Sequence, residues 1–217
     1  MKPGLVLVTP PEAEPILAAD ALAFLRVDDT DEQTLVEGLI KAARIYVENY
    51  TGLTLINTVW ALWRDGFSKR RLADPWWNGT RDGSLSMFSG GEERKIVLPR
   101  KPVVSVTSIS TFGLDDTEST YAASNYIVDD TKQNPEIVLR DAAVWPSDLR
   151  AAKAVKVLFT AGYGTVGTSV PADILLAMRH MIAHWFENRE SVVVGSIAQP
   201  VPMTATVLLE TYRCIDL

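Results

Sequence analysis

The sequence predicts an α+β protein: a helical bundle formed by N- and C-terminal helices, with an antiparallel β-region inserted between them. Three observations predict it. Apolar residues recur at helical spacing from Leu35 to Tyr50. From Leu53 to about Thr160 the pattern turns to short runs rich in Val, Ile, Thr and aromatics, with turn residues between them. After Gly167 it returns to helix. Helices and strands come in blocks and do not alternate, which argues against a doubly wound sheet. Neither amphipathic end buries its apolar face alone, so the two ends are expected to pack together. The expected organisation is one domain with an insertion: residues 1–52 as N-terminal helices, 53–160 as the β-region, and 161–217 as C-terminal helices and an arm.

The elements follow in order. A short helix is predicted from Pro15 to about Leu25, proline suiting a first turn. A second begins where Thr30 and Gln33 have capping-box spacing and Asp31 and Glu32 favour the positive end of the helix dipole. Its apolar face is Leu35, Val36, Leu39, Ile40, Ala43, Tyr46, Val47 and Tyr50, and Gly52 supplies a left-handed stop. Strands are predicted at 54–64, 95–98, 103–112, 125–128, 136–140 and 154–160. Between the first two lies a long polar loop, 66–94, with Trp76, Trp77, Met87 and Phe88 as its apolar exceptions. A helix is then predicted over 171–188, followed by the stretch SVVVGSIAQP and a last helix over 203–212.

Composition excludes several functions. Hydrophobic residues are 47% and charged residues 22% of the 217, ordinary for a globular chain. The net charge of −6 argues against a surface that grips phosphate non-specifically. Only residues 51–101 are basic on balance, around Lys69-Arg70-Arg71, Arg94-Lys95 and Arg100-Lys101. With Trp76 and Trp77 this segment fits nucleic-acid stacking, or ordering against a partner protein; interspersed acidic residues favour the partner. The one cysteine, Cys214, allows no disulfide within the chain and is expected to be packed. The apolar patch Leu5–Val8 is too short for a signal peptide, and ILLAMRHMIAHWF, broken by Arg179, His180 and His184, is too short for a membrane span. A soluble, cytoplasmically made protein is expected.

Two patterns suggest chemistry. Gly162-Tyr163-Gly164-Thr165-Val166-Gly167 is a literal G-x-G-x-x-G after a predicted strand. In a dinucleotide site, however, the helix starts inside the glycine turn. Here Pro171 delays it, and Glu187, at the spacing of a ribose-binding acid, lies within the helix. A strand-to-helix connection is the favoured reading. His180, His184 and Glu187 share one helix face and are metal-binding residue types. Met181 stands where a zinc-protease helix has its glutamate, and the chain has no third histidine. No G-x-S-x-G turn is present. No catalytic residue, cofactor or metal is therefore expected.

An ordered set of motifs resembles the head–tail connector family of long-tailed phages and gene transfer agents, also called adaptor or head-completion proteins. LRVDDTDEQTLVEGLIKAARIYVENYTGLTLI resembles the family's opening helices. Leu98-Pro99-Arg100-Lys101-Pro102-Val103, followed by Ser105-Val106, resembles its entry into the β-region. AGYG at 161–164 with Val170-Pro171, HWFENRE at 184–190, and a closing helix ending Tyr212-Arg213 resemble the rest. The loop 66–94 is longer than the family's short link. The resemblance implies a non-enzymatic virion protein at the head–tail junction, synthesised in a bacterial host cytoplasm. It implies a ring, a dodecamer in the virion and a monomer when free, beneath the portal protein. The ring extends the DNA channel without sequence-specific binding and carries a tail-side stopper or connector protein. Partner contacts are expected at Trp76, Trp77, Met87, Phe88, Val192, Val193, Val194, Ile197, Val201 and Arg213. The competing function class is a metal-binding or hydrolytic domain built on His180, His184 and Glu187.

Overall fold

A computed structural model describes residues 4–27, 30–67, 94–132, 134–188 and 202–213. Its elements in chain order are β1 Gly4–Thr9, α1 Ala18–Leu25, α2 Gln33–Thr51, β2 Thr58–Arg64, β3 Lys95–Val97, β4 Val103–Phe112, β5 Glu118–Tyr121, β6 Tyr126–Asp129, β7 Glu136–Leu139, β8 Val155–Ala161, α3 Ala172–Glu187 and α4 Met203–Glu210. The fold is α+β, and β3–β7, β6–β7 and β4–β5 pair antiparallel. The chain divides into two compact units. One holds Met1–Val8, Trp60–Pro99 and Ser105–Phe159; the other holds Thr9–Val59, Arg100–Val104 and Thr160–Leu217.

In the helical unit, Val36, Ile40, Ala43 and Val47 of α2 are at most 1% exposed, and Leu39, Tyr46 and Tyr50 of the expected face pack against the same core partly buried. Leu35, expected on that face, is exposed. Ile174, Ala177, Met178, Met181 and Ile182 of α3 share the same core, with Ile16, Ala21, Val170, Ala205 and Leu209. Burying each valine, isoleucine, leucine and methionine among them stabilises by about 1.5–3 kcal/mol. Gly52 ends α2 at φ 76° and its N–H donates to the Glu48 carbonyl, as a left-handed stop requires.

Two predicted starts differ. The first helix begins at Ala18, not Pro15. The second begins after a 3₁₀ turn over Thr30–Glu32, and no side chain caps it. The Gln33 amide nitrogen donates forward to Glu37 at 2.9 Å.

In the β-unit a five-stranded sheet has the order β1-β2-β8-β4-β5, and a three-stranded sheet the order β3-β7-β6. Gly4 lies against Trp63: a Cβ added to it would sit 3.6 Å from the Trp63 Cβ, so β1 begins beside the far end of β2. Along β8, Val155, Val157, Phe159 and Ala161 are fully buried and alternate with half-buried residues, the period-two pattern of a strand with one face in a core. In the small sheet Ile96 and Val128 both face Ile137, and Tyr126 faces Leu139, making one apolar side. Phe67 and Trp145 stack with centroids 4.1 Å apart. Neither β1 nor β5 is predicted from sequence.

Candidate partner interface

Of the residues expected to meet partners, Trp76, Trp77, Met87, Phe88, Val192, Val193, Val194, Ile197 and Val201 lie outside the described residues, as does Cys214. Arg213 is described. Its guanidinium sits 3.4 Å from the Glu210 carboxylate and 5.4 Å from the centre of the Tyr50 ring, with its side chain half exposed. Glu210 in turn accepts a 2.6 Å hydrogen bond from the Tyr50 hydroxyl. That bond, and then Arg213, hold the Glu210 carboxyl below its ordinary range. Tyr212 donates to Asp173 at 2.9 Å. Within the expected C-terminal helices and arm, residues 203–210 form α4 and belong to the core. Ala205 and Leu209 are fully buried in the helical core, and α4 packs on α3 and α2. The outward side of α4 carries Met203 and Val207, one turn apart and 71% and 63% exposed.

The glycine motif is where separate stretches of chain meet. Leu53 bridges Lys101, and the Thr54 N–H donates to the Lys101 carbonyl at 2.8 Å. Gly162 donates to Pro102, Tyr163 to Leu55, and Asn57 to Gly164. A Cβ on Gly162 would lie 2.5 Å from the Asn57 nitrogen, and its φ of +146° is closed to side-chain-bearing residues. A Cβ on Gly167 would lie 2.0 Å from the Pro15 carbonyl oxygen, and one on Gly164 2.5 Å from the Ser169 hydroxyl. At Gly164 it is space, not a positive φ, that favours glycine. The helix after the motif starts at Ala172, beyond a 3₁₀ turn at Gly167–Ser169.

Arg100 joins the same place to α2. Its guanidinium donates to the carbonyls of Glu48 at 2.7 Å and Leu53 at 3.1 Å, and to Asn49 at 3.2 Å. It thereby adds a second donor to the Glu48 carbonyl, which already accepts from Gly52, and supplies one to the Leu53 carbonyl just beyond the helix end. Burial pulls the Arg100 guanidinium down from its ordinary value, and Glu48 opposes this. The buried Glu48 carboxylate accepts from the Leu55 N–H at 3.0 Å and from Arg44 at 3.2 Å, and Arg44 also pairs with Glu14 at 2.8 Å. The LPRKPV and AGYG motifs thus serve one joint.

The histidine face does not assemble a metal site. Among the described residues no three His, Cys, Asp or Glu side chains converge. The His180 ring packs edge-on against Phe24 at 5.9 Å, and Nδ1 of His184 lies 3.3 Å from the Asn188 amide.

Sequence reasoning missed an apolar surface on β1. Val6, Leu7 and Val8 are 50%, 46% and 51% exposed, and β1 ends its sheet. The signal was present: GLVLVT is β-branched, uncharged and bounded by Pro3 and Pro10. The outer side of the small sheet carries exposed Val97 and Ile127 beside a charge cluster in which Glu136 accepts from Lys95 at 3.1 Å and from Lys132.

The family model described as head completion protein matches residues 16–215. No curated protein matches the chain. Among solved structures, a chain in the neck of an empty gene transfer agent particle, computed with C6 symmetry, is 22% identical with a TM-score of 0.73, covering 99% of this chain and 97% of that one. A chain in the virion of a native gene transfer agent particle is 21% identical with a TM-score of 0.73, over 98% and 96%. One in a native neck computed with C12 symmetry is 21% identical with a TM-score of 0.66, over 100% and 97%.

Proposed function

Because the chain belongs to the head completion protein family, we propose that it is a structural protein of the head–tail junction in a phage-like particle. The family match across residues 16–215 carries this reading. The C6 and C12 symmetries of the similar necks support a ring of identical copies, and we read it as a dodecamer in the particle, assembled from monomers. The ring sits beneath the portal protein, receives a stopper or connector on its tail side, and lets DNA pass without reading its sequence. The acidic balance of the chain suits such a conduit. The chain acts without catalysis, and is made in the host cytoplasm before joining the virion. The helices of both chain ends form the bundle into which the β-region is inserted as part of one domain; the shared core of α1, α2, α3 and α4 supports this. Segments 66–94 and 191–201, with Arg213, carry the partner contacts. The metal or hydrolase reading has no supporting geometry.

The test is genetic and structural. Particles made without this chain should package DNA and lose it, and adding the purified protein should restore retention. Particles that retain DNA and bind tails without it would sink the proposal, as would its absence from the neck in electron microscopy.

A further inference from the structure

We propose that β1 forms one half of the contact between neighbouring copies of this chain, pairing its free edge with the β5 edge of the next copy. The inference rests on the ring reading above and names the surfaces that build the ring.

The observation is an undefended sheet edge. The outer edges of protein sheets present unpaired N–H and C=O groups and are normally blunted by charge, proline inside the strand, or a bulge. β1 lacks the first two of these defences, and among the described residues no strand lies beyond it. Its six residues, Gly4–Thr9, carry no charge and no proline, and three consecutive apolar residues, Val6, Leu7 and Val8, are about half exposed. Successive side chains in a strand point to opposite faces, so apolar surface is exposed on both sides of this strand. The pattern is that of a strand awaiting a neighbour.

A second copy is the occupant that fits. A ring of identical subunits is closed by a heterologous contact, in which each copy offers two different surfaces. The five-stranded sheet offers two: β1 at one end and β5 at the other. Glu118, Ser119 and Thr120 of β5 are exposed, and Glu118 is the only charge on either strand, so no like charges meet when the edges pair. A contact of β1 with β1 would be isologous and would close a dimer, not a ring.

Cysteine cross-linking tests this directly. In a Cys214→Ser background, two double variants, Val6→Cys with Thr120→Cys and Leu7→Cys with Thr120→Cys, cover both faces of β1. Within one chain the two positions are separated by four strand spacings of about 4.8 Å, or roughly 19 Å, beyond the ~7 Å limit of a disulfide. A disulfide must therefore join two chains. Oxidised rings or particles of at least one double variant should give a ladder of multimers on a non-reducing gel, and each single variant only monomer. Rings visible by electron microscopy that give no ladder with either double variant would overturn the inference and leave the ring reading standing. Dimers from Val6→Cys alone would overturn it in favour of symmetric pairing. In parallel, Val6→Lys with Val8→Lys should leave the thermal melt of the free protein unchanged while abolishing rings; rings of normal size would overturn the inference. Wild-type protein that forms no ring on the portal would overturn both this inference and the ring reading.

Discussion

The two units are held together differently. The helical unit has one contiguous core to which α1, α2, α3 and α4 all contribute, tied at a single joint by Arg100, Glu48 and the glycine motif. The β-unit is fastened by several local devices: two sheets, the Phe67–Trp145 stack, and the charge cluster around Glu136. The difference teaches where single substitutions are felt. A contiguous core transmits the loss of one side chain to every element lining it, whereas the charge cluster joins a buried Glu136 to lysines that are half exposed and screened by water.

Substitutions ordered by size test that contrast. Leu209→Ala should cost about 2–5 kcal/mol in urea unfolding, the range for deleting a buried leucine. A loss near zero would show that α4 is a detachable arm and not part of the core. Gly162→Ala comes next. The backbone angle alone costs about 1–3 kcal/mol, and the clash with Asn57 adds to it, so a drop in thermal midpoint with unchanged far-ultraviolet dichroism at low temperature is expected. Gly164→Ala should be milder, and Ser169→Gly in the same chain should recover part of its loss, because the obstruction is the Ser169 side chain. No recovery would mean that the turn resists Ala for another reason.

Arg100→Met should cost about 1–3 kcal/mol, because it removes the arginine donor to the Leu53 carbonyl and one of the two donors to the Glu48 carbonyl. Arg100→Lys keeps the charge but not the fork, so it should recover only part. A full recovery would show that charge, not geometry, holds the joint.

The smallest effect lies in the β-unit. Lys132, and then Lys95, hold the Glu136 carboxyl below its ordinary range. A depressed carboxylate contributes stability above its unfolded pKa, about 4.3, and the contribution fades as pH falls through the lower, folded value. Glu136→Gln should therefore remove a contribution below about 1 kcal/mol at neutral pH and flatten that limb of the acid-unfolding curve. A variant whose acid limb matches wild type would remove Glu136 from the account.

The helical unit was largely legible in the sequence. The spacing of Val36, Ile40, Ala43 and Val47 states which face is buried, and Gly52 states where the helix ends. The β-unit was legible only where a strand carries its own pattern. β8 alternates and was found; β5, Glu118–Tyr121, has no apolar period, and its register with β4 defines it. β1 does carry a strand's composition, but both of its faces are exposed, so no alternation marks it. The glycine motif connects β8 to α3, as Pro171 predicts, but the reason for its glycines, the close approach of Asn57 and Pro15, needs residues far apart in sequence. Most of the expected partner contacts lie outside the described residues, so the candidate interface was legible mainly as composition.

The discontinuity of the helical unit also bears on how the chain is made. Its core draws on stretches 9–59, 100–104 and 160–217. A ribosome emits α2 long before α3 and α4, and synthesis runs at about 5–20 residues per second. The stripe of Val36, Ile40, Ala43 and Val47 thus spends several seconds without the helices that cover it, while the whole β-unit emerges. A chain cut short before α3 and α4 leaves that stripe uncovered, so emergence of those two helices is the step that completes the core.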